Sequence, residues 1–543
     1  MSTNCGIGSK RGRRVRQKLA GGRLPQLQLP GGRNRVIDTA RLAGQLLGAT
    51  GRFFIRGGKL FELQALDGQV KLEHVKAAKF VSAIEEVARV VRWDESQKRA
   101  VPTIFTSAAA GLVLESSEFA KAIPEIRCIT RCPVLIERDG RLVQVAAFDR
   151  ASGILAGGVR AADLGLDEAR SLLRELLTDF HFVSQSDRSR AFAALLSPAL
   201  TFGGLLGAYR APAIVVEANE SQTGKGFFVR LIAAVYRDVP AAVTQKKGGV
   251  GGLEEDFDSR ILEGRSFINF DNMRGRFDSP KLESFLTEDT YSARVPYAGS
   301  IQIDPRRTIV LLTSNRAELT PDLANRANTV RLLKQPIGYA FASYAEGGLP
   351  QHVHAHQPQF LGAVFATIRE WHAAGKLASK GIDHDFRGWA GALNWIVMNI
   401  LNEAPLMAGH REAQRRMATP DLNWLRDVAN AVESSGRVGQ WLRANQVVDA
   451  IQGNSSIEIP GLRHGDIEDP CIRDNVFRAV GLRLSKCLGD ASKSEVDGFI
   501  VERRTTTDRE DGYRERTEYR FEYSTAPKSA RSDPEGAPRR KTS

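Results

Sequence analysis

Residues 34–200 mix short alternating apolar runs with stretches of helical spacing. Strict alternation in residues 52–63 and in residues 133–147 predicts two β-hairpins, each with a glycine at its turn. Apolar residues recur at helical spacing near 75–93 and 166–181. We therefore expect a mixed α+β domain in this part of the chain.

Residues 201–336 alternate strand-like and helix-like patterns. The strand-like runs lie near 213–217, 239–244, 266–270, 308–313 and 328–333, the helical segments near 226–236, 253–262 and 280–288, and a hairpin near 293–304. Strands that alternate with helices predict βαβ units on a parallel sheet, which is the α/β fold class.

The remainder of the chain divides into a helical region and a region of mixed pattern. Residues 337–436 are dominated by helical spacing, whereas residues 437–524 contain helices followed by strands. The elements predicted in the second region are helices at 439–451 and 471–488 and strands at 498–505 and 513–523. Helix, helix and hairpin is the order of a winged-helix-like DNA-binding domain. Residues 1–33 and 525–543 are expected to be disordered tails.

Composition excludes two classes of protein. Hydrophobic residues make up 42% and charged residues 26% of the 543 positions, which is a globular composition and excludes wholesale disorder. No apolar run reaches the roughly 18 residues of a membrane-spanning helix, so we expect no membrane partner. Five cysteines argue against a disulfide scaffold and for a reducing, cytoplasmic location.

The chain is basic, with a formal net charge of +13. That balance indicates a polyanionic partner, nucleic acid more than a membrane surface. The first 24 residues carry seven cations and no acid, namely Lys10, Arg11, Arg13, Arg14, Arg16, Lys18 and Arg23. No apolar segment follows, so this is not a signal peptide. Two interpretations stay open: a solvated tail, or an arm that binds phosphate.

A phosphate-binding loop is the clearest chemical motif. The apolar run 213–217 leads into a loop and then a helix, the setting in which backbone N–H groups and one lysine bind phosphate. The loop consists of Asn219, Glu220, Ser221, Gln222, Thr223, Gly224, Lys225 and Gly226. Asn219 stands where the motif has its first glycine, and Gly226 where it has the hydroxyl that touches magnesium. The metal then depends more heavily on other ligands.

Three later strand and helix ends complete a nucleotide site. Asp271 ends an apolar strand and is the predicted Mg²⁺ ligand, while the neighbouring Asn272 can orient the attacking water. Asn315 ends another strand, where a polar side chain contacts the γ-phosphate. Arg326 precedes the last strand and can reach the nucleotide of a neighbouring subunit. Together with Lys225, these are the predicted catalytic residues, and ATP and Mg²⁺ are the predicted cofactors.

Histidines and cysteines give no metal site in the sequence. His352, His354 and His356 alternate in a loop-like stretch, so their imidazoles share one side only if that segment is extended. We find no carboxylate or cysteine that accompanies them. Cys128 and Cys132 form a lone CxxxC without a second ligand pair, which favours buried thiols over zinc.

The motifs ANESQTGKG, FINFDN, IVLLTSN and ELTPDLANR resemble the ATPases of phage, plasmid and integrative-element primase–helicases. These are AAA+-related P-loop proteins close to superfamily 3 helicases, and the resemblance covers about residues 130–335. It implies that Asp271 and Asn272 form the Asp-Asn pair with which the family's Walker B strand commonly ends. The chain lacks the acidic metal motif of a primase, so the resemblance implies a motor without primase activity.

The resemblance also implies partners. The working unit is then a homo-oligomeric ring, expected to be a hexamer, that holds ATP between subunits and moves on single-stranded or forked DNA. Replication proteins are further candidate partners. The candidate DNA contacts are Arg294, Tyr297, Arg306 and Arg307 around the central hairpin, Arg478, Arg483 and Lys486 on the helix 471–488, and Arg503 and Arg504 on the C-terminal hairpin.

Two functions stay open at this point. The first is an ATP-dependent DNA helicase or translocase of mobile-element replication. The second is a DNA-binding regulatory or scaffolding protein whose nucleotide fold has become purely structural, which the missing hydroxyl at Gly226 favours. Retention of four residues together favours the motor, because a structural fold needs none of them: Lys225, Asp271, Asn315 and Arg326.

Overall fold

A computed structural model of the chain describes residues 24–31, 34–66, 69–218, 222–244, 252–273, 276–295, 299–315, 318–418, 420–452, 457–462, 470–488, 492–496, 499–508 and 514–523. The chain divides into two compact units, Met1–Gln414 and Arg415–Ser543. Of the predicted tails 1–33 and 525–543, residues 1–23, 32–33 and 525–543 lie outside the described residues. Residues 26–28, which were expected in the first tail, instead form a strand that pairs with residues 89–91.

The first part of unit 1 is a mixed α+β region. Its strands are β1 (Gln26–Gln28), β2 (Phe53–Arg56), β3 (Lys59–Leu66), β4 (Gln69–His74), β5 (Arg89–Asp94) and β6 (Arg99–Pro102). Its helices are α1 (Val36–Ala49), α2 (Ala77–Glu85), α3 (Ser107–Leu114) and α4 (Ser117–Ala122). The strands form two sheets, in the orders β1-β5-β6 and β2-β3-β4, and the predicted β2–β3 hairpin is confirmed.

One predicted helix of this region is shorter than expected. Helix α2 ends at Glu85, and strand β5 takes up most of the remaining segment up to residue 93. Val90 and Val91 are buried there, and β5 pairs with β1 on one side and β6 on the other. Pairing on both edges overrode the helical spacing, since backbone groups in a sheet centre must all be satisfied.

A second α+β segment leads to the central sheet. Its elements are β7 (Cys128–Thr130), β8 (Val134–Arg138), β9 (Arg141–Val145), β10 (Phe148–Asp149), β11 (Ile154–Ala156), α5 (Leu166–Glu175), β12 (His181–Phe182) and α6 (Gln185–Gly203). The predicted β8–β9 hairpin is confirmed. Cys128 and Cys132 are buried thiols, as predicted, and burial raises the pKa of Cys128 to about 11.

A parallel sheet forms the centre of unit 1. Its segment comprises β13 (Ala213–Ala218), α7 (Lys225–Val235), β14 (Ala241–Val243), α8 (Leu253–Leu262), β15 (Phe267–Met273), β16 (Arg276–Phe277), α9 (Pro280–Thr287), β17 (Tyr291–Val295), β18 (Gly299–Ile303), β19 (Ile309–Asn315), β20 (Glu318–Leu319), α10 (Pro321–Asn325) and β21 (Ala327–Leu333). The strand order is β12-β21-β13-β19-β15-β14, and every pair is parallel except β12–β21.

The sequence explains this arrangement. Its strands are near-continuous apolar runs buried on both faces, which is typical of parallel strands covered by helices. The predicted parallel α/β sheet is therefore confirmed, whereas the antiparallel edge strand β12 was not predicted. The hairpin β17–β18 is also present and pairs from Tyr291 with Ile303 to Val295 with Gly299.

Helices complete unit 1. They are α11 (Leu349–Ala355), α12 (Gln357–Ala373), α13 (Arg387–Asn399) and α14 (His410–Ala418), and the boundary between the units falls within α14. Trp389 is buried and donates a hydrogen bond of 2.8 Å to Ser197 of α6. The loop expected around His352 is wrong, because these residues form α11. A capping glycine at 348 and a proline at 350 favour that helix start.

Unit 2 comprises three helices and an antiparallel sheet besides the end of α14. Its elements are α15 (Pro420–Ser434), β22 (Trp441–Arg443), α16 (Ala444–Ile451), α17 (Pro470–Leu488), β23 (Lys493–Val496), β24 (Phe499–Asp508) and β25 (Arg514–Tyr523). The sheet order is β22-β25-β24-β23. The predicted C-terminal hairpin is confirmed. The helix expected at 439 begins only at Ala444, because the preceding residues pair with β25.

Helix α17 buries one apolar face. Val476, Val480, Leu484 and Leu488 are buried in one core with residues of α15, α16 and the sheet. Among the described residues of the whole chain, no helix combines the length and apolar character required to cross a bilayer.

Candidate nucleotide site

Strand β13 and helix α7 form the predicted strand–loop–helix of the phosphate site. Gly224 caps α7 with φ of +88°, a left-handed conformation that favours glycine, and Lys225 is the first helical residue. The backbone N–H groups at this helix start have no partner within the helix and are suited to bind an anion. Asn219, Glu220 and Ser221 lie outside the described residues.

Lys225 is half-buried at this helix start. Its Nζ lies 3.3 Å from the hydroxyl of Thr223, which is itself buried. Burial lowers the pKa of Lys225, and the nearby charge of Glu217 opposes that shift. A bound anion would compensate the cost of burying this ammonium group.

A bulge at the end of β15 exposes Asp271 and Asn272. The register of β15 against β19 shifts between Phe270 and Met273, and Asn272 has φ of +51°. Both side chains are exposed as a result. β-Bulges commonly redirect side chains beside active sites.

Thr313 holds this bulge from the neighbouring strand. Its hydroxyl donates a hydrogen bond of 2.8 Å to Asp271 Oδ1 and accepts one of 2.8 Å from the backbone N–H of Asn272. Thr313 is only 2% exposed, so the carboxylate is supported from the protein side while it faces solvent. Sequence reasoning missed this residue. The available signal was a threonine in an otherwise apolar run, two residues before Asn315.

The registers place three strand ends at one edge of the sheet. Ala218, the last residue of β13, pairs with Asn315 of β19, and Ser314 pairs with Met273 of β15. Carboxyl ends of parallel strands are where such sheets bind ligands. The structure therefore brings the loop of Lys225, the bulge of Asp271 and the backbone of Asn315 to a common edge.

The groups at this edge fit Mg²⁺ and a polyphosphate. Asp271 offers an exposed carboxylate, and Mg²⁺ takes oxygen ligands while it retains several waters. Asn269 lies two residues earlier on the same strand, and among the described residues its buried Oδ1 has no hydrogen-bond partner. A metal-bound water can donate to that oxygen. Gly226 leaves open space in place of a side chain, with Arg230 Nη1 3.7 Å from where a Cβ would lie.

Arg326 lies at the opposite edge. Its carbonyl accepts a hydrogen bond of 3.0 Å from the N–H of Ala213, the first residue of β13, and Ala213 pairs with Ala327. A six-residue strand separates this point from the phosphate loop by about 17 Å. The structure does not bring Arg326 together with Lys225 and Asp271 of the same chain.

The candidate DNA contacts of unit 1 have different surroundings. Arg294 is exposed on β17. Arg306 forms two hydrogen bonds with Asp304, of 2.8 and 3.0 Å. Arg307 donates to the carbonyl of Phe202 at the end of α6. Tyr297 lies outside the described residues.

The candidate contacts on α17 also differ from one another. Arg478 is exposed and has no ion pair among the described residues. Arg483 lies over the ring of Trp424, 4.7 Å from its centroid, and pairs with Asp421 and Glu458. Lys486 is 73% exposed at its side chain and pairs with Asp421 at 2.8 Å.

The arginines of the C-terminal hairpin are half-buried or paired. Arg504 contacts Glu518 at 2.7 Å and lies 4.1 Å from the ring centroid of Trp441. Arg503 is half-buried, and its backbone N–H donates to Ser492.

Comparisons with known proteins give weak similarities. No protein-family model matches the chain, and no curated protein matches it. One similar solved structure is SCCmec type IV Cch, described as an active helicase, with a TM-score of 0.31 and 10% identity over 78% of this chain and 93% of that one. Another is the C-terminal region of NrS-1, with a TM-score of 0.32 and 11% identity over 77% of this chain and 91% of that one.

Proposed function

We propose that the protein is an ATP-dependent DNA helicase or translocase that requires Mg²⁺. The observation that carries the proposal is the carboxyl edge of the parallel sheet, where the loop of Lys225 follows β13 and the bulge of Asp271 ends β15, on either side of β19. That edge combines cationic and N–H donors for phosphate with a carboxylate for the metal.

Each residue then has a distinct task. Lys225 and the N–H groups of α7 bind phosphate oxygens, and Asp271, held by Thr313, binds water of the metal shell. Mg²⁺, when bound, neutralises charge that develops on the transferred phosphoryl group. Asn272 has no basic group and therefore orients the attacking water by hydrogen bonding. Asn315 contacts the γ-phosphate.

The place of Arg326 supports the proposal of a ring. It lies at the amino edge, about a strand length from its own chain's phosphate loop, so it serves the nucleotide of the next subunit. We propose a homo-oligomeric ring, of six subunits by the family resemblance, acting in mobile-element replication. Such a ring holds each ATP between two chains.

Unit 2 is the proposed DNA-binding domain. Its elements run helix, strand, helix, helix and then the three antiparallel strands β23, β24 and β25, with β22 against β25, which supports a winged helix. Helix α17 is then the recognition helix. Arg478 is its main DNA contact, since Arg483 and Lys486 already contact carboxylates.

Hydrolysis of ATP by the purified full-length chain tests the proposal. We expect turnover that needs Mg²⁺ and rises with single-stranded DNA, and we expect Lys225→Ala to abolish it without changing the fold. Lys121→Ala is the matched control, because its side chain is 71% exposed and, among the described residues, its ion pair is with Glu118. Wild-type hydrolysis in Lys225→Ala would reject the site.

One observation favours a second function. Gly226 provides no hydroxyl for the metal, which suits a DNA-binding regulatory or scaffolding protein with a structural nucleotide fold. Absence of hydrolysis under every DNA condition, with DNA binding retained, would favour that function. The carboxylate of Asp271, held by Thr313 at the same sheet edge as the loop of Lys225, argues for the motor.

A further inference from the structure

Two histidines and a glutamate come together beside α11, far along the chain from the nucleotide motifs. His352 lies on α11, His356 lies one helical turn later, and Glu346 precedes the helix. One donor atom from each lies within 4.8 Å of the others. The sequence interpretation found no carboxylate for these histidines and is corrected here, since a helical turn places residues four apart on one face.

The carboxylate of Glu346 faces both rings. Its Oε2 lies 3.0 Å from His352 Nδ1, and its Oε1 lies 2.8 Å from His356 Nε2. Ligand atoms around a tetrahedral Zn²⁺ are about 3.3 Å apart, given metal–ligand distances near 2.0–2.1 Å. Both nitrogen–oxygen distances lie within about 0.5 Å of that spacing, and all three donor atoms lie within 4.8 Å of one another.

The other nitrogen of His352 is already held. Its Nε2 lies 3.3 Å from Glu175 Oε1 on α5, so both ring nitrogens face carboxylates. A neutral imidazole has only one N–H and cannot donate to both. An imidazolium can donate to both, whereas with a cation on the Glu346 side the neutral ring donates its Nε2–H to Glu175. Carboxylate–histidine–metal relays of this kind orient metal ligands in proteins.

We propose that Glu346, His352 and His356 form a binding site for Zn²⁺. The set of two imidazoles and one carboxylate suits zinc, and three protein ligands leave a fourth position for water. His352 is supported on its ring faces by Tyr344, with centroids 4.4 Å apart, and by Phe360 at 5.7 Å. The bound ion ties the segment before α11 to the helix.

Titration of metal-free, full-length protein with Zn²⁺ tests the site, by competition with a chromophoric chelator. We expect one zinc ion per chain at this site, and its loss in His352→Ala, His356→Ala and Glu346→Gln. Glu175→Ala removes only the outer partner and should weaken binding about 10–100-fold. The matched control is His354→Ala, since that histidine is exposed and lies outside the group.

Two outcomes would overturn the proposal. One is zinc binding by wild type that is no stronger than binding by the His352→Ala/His356→Ala double variant. The other is equal loss in His354→Ala, which would indicate scattered surface binding. His356→Ala decides the matter even if His352→Ala fails to fold, because the His356 side chain is 42% exposed.

A second measurement follows the tethered segment. Phe341 is 64% exposed in the stretch between β21 and α11, which makes it a site for chymotrypsin. We expect Zn²⁺ to slow cleavage after Phe341 in wild type and in His354→Ala, and to have no effect in His356→Ala. Equal cleavage of wild type with and without Zn²⁺ would contradict the proposed tether.

Discussion

The two edges of the parallel sheet are built in opposite ways. At the carboxyl edge, Asp271 and Asn272 are exposed, and the buried Thr313 supports both of them. At the amino edge the contact is between backbone groups instead, since the carbonyl of Arg326 accepts a hydrogen bond from the N–H of Ala213. The difference teaches that one chain places an exposed carboxylate at one edge and an arginine at the other. In the proposed ring, a second chain brings the two kinds of group together.

The comparison of the two edges also gives a criterion for which side chains of unit 2 are available to bind DNA. A side chain is available to a ligand when it is exposed and its own charge is not already matched by the protein. Arg478 meets that criterion among the described residues, whereas Arg483 is matched by Asp421 and Glu458. Surface ion pairs are individually weak, but a guanidinium that also lies over Trp424 has a structural task.

Replacement of Arg326 should have the largest effect. An arginine that stabilises phosphoryl transfer is worth about 10³–10⁵ in turnover, so Arg326→Ala should lower DNA-stimulated ATP hydrolysis by that order. Mixing Arg326→Ala with Lys225→Ala chains should restore part of the rate, because hybrid interfaces pair an intact lysine with an intact arginine. Steady-state hydrolysis of mixtures across a range of ratios measures this.

The mixing experiment needs a control that shows that Arg326→Ala and Lys225→Ala chains assemble together. Native mass of the mixtures, with an ATP analogue and DNA present, shows whether hybrid oligomers form. Hybrids that form without any rescue would place Arg326 in its own chain's site or outside catalysis, and the contrast between the two edges would lose its functional meaning.

Asp271→Asn should have the next largest effect. Loss of the negative charge weakens metal binding, and we expect turnover about 10²–10³-fold lower together with a higher Mg²⁺ requirement. Asp163→Asn is the matched control, because Asp163 is exposed and pairs only with Arg369 among the described residues. Unchanged Mg²⁺ dependence in Asp271→Asn would show that the exposed carboxylate is not a metal ligand.

The amino edge should respond to pH through buried histidines. His384 lies 3.4 Å from the carbonyl of Ala327 and stacks on His410, with ring centroids 4.8 Å apart. Burial lowers the pKa of His384 to about 4 and that of His410 to about 3. Both values lie below the ordinary pKa near 6.5, so the unfolded chain binds more protons, and stability falls as pH drops from about 6.5 towards 4.

Urea unfolding at pH 7.5 and pH 5.0 measures this loss. Each histidine should contribute about 2 kcal/mol of destabilisation at pH 5, from the shifted pKa values. His410→Leu removes one titrating group and should reduce the difference between the two pH values by that amount. An unchanged difference in the variant would mean that His410 is protonated in the folded protein.

The smallest effect is expected from replacing Arg478 on α17. Arg478→Ala should weaken binding to forked DNA and lower the salt slope of log K by about 0.9, the value for one lost phosphate contact. Arg483→Ala should mainly lower the free energy of unfolding of unit 2, because that side chain packs on Trp424. If Arg483→Ala lowered the salt slope of log K and Arg478→Ala did not, the criterion of an exposed side chain with unmatched charge would be refuted.

The sequence predicted most of the central fold because its local patterns agree with its tertiary setting. The predicted helix at 253–262 is α8 with the same bounds, and the apolar run at 328–333 is the greater part of β21. Continuous apolar strands between helices leave few alternatives to a parallel sheet. Strand β5 was missed because its pairing partners, not its spacing, decide its conformation.

The candidate site was only partly predictable for a related reason. Lys225 and Asp271 follow from motifs, since their roles depend on neighbours along the chain. The support from Thr313 depends on the register between β15 and β19, which sequence spacing does not specify. Likewise, the partners of Arg483 lie 25 and 62 residues away along the chain, beyond the reach of any helical pattern.

The strand order also constrains how the chain is made. Strand β13 lies between β19 and β21, and both of these partners are synthesised long after it. While the ribosome is still producing the intervening helices, the buried strand that carries the phosphate loop has two unpaired apolar edges. Such edges attract other chains, and late pairing lengthens the time for which they are exposed. A nascent chain arrested before Ile309 is therefore the form of this protein most in need of a chaperone.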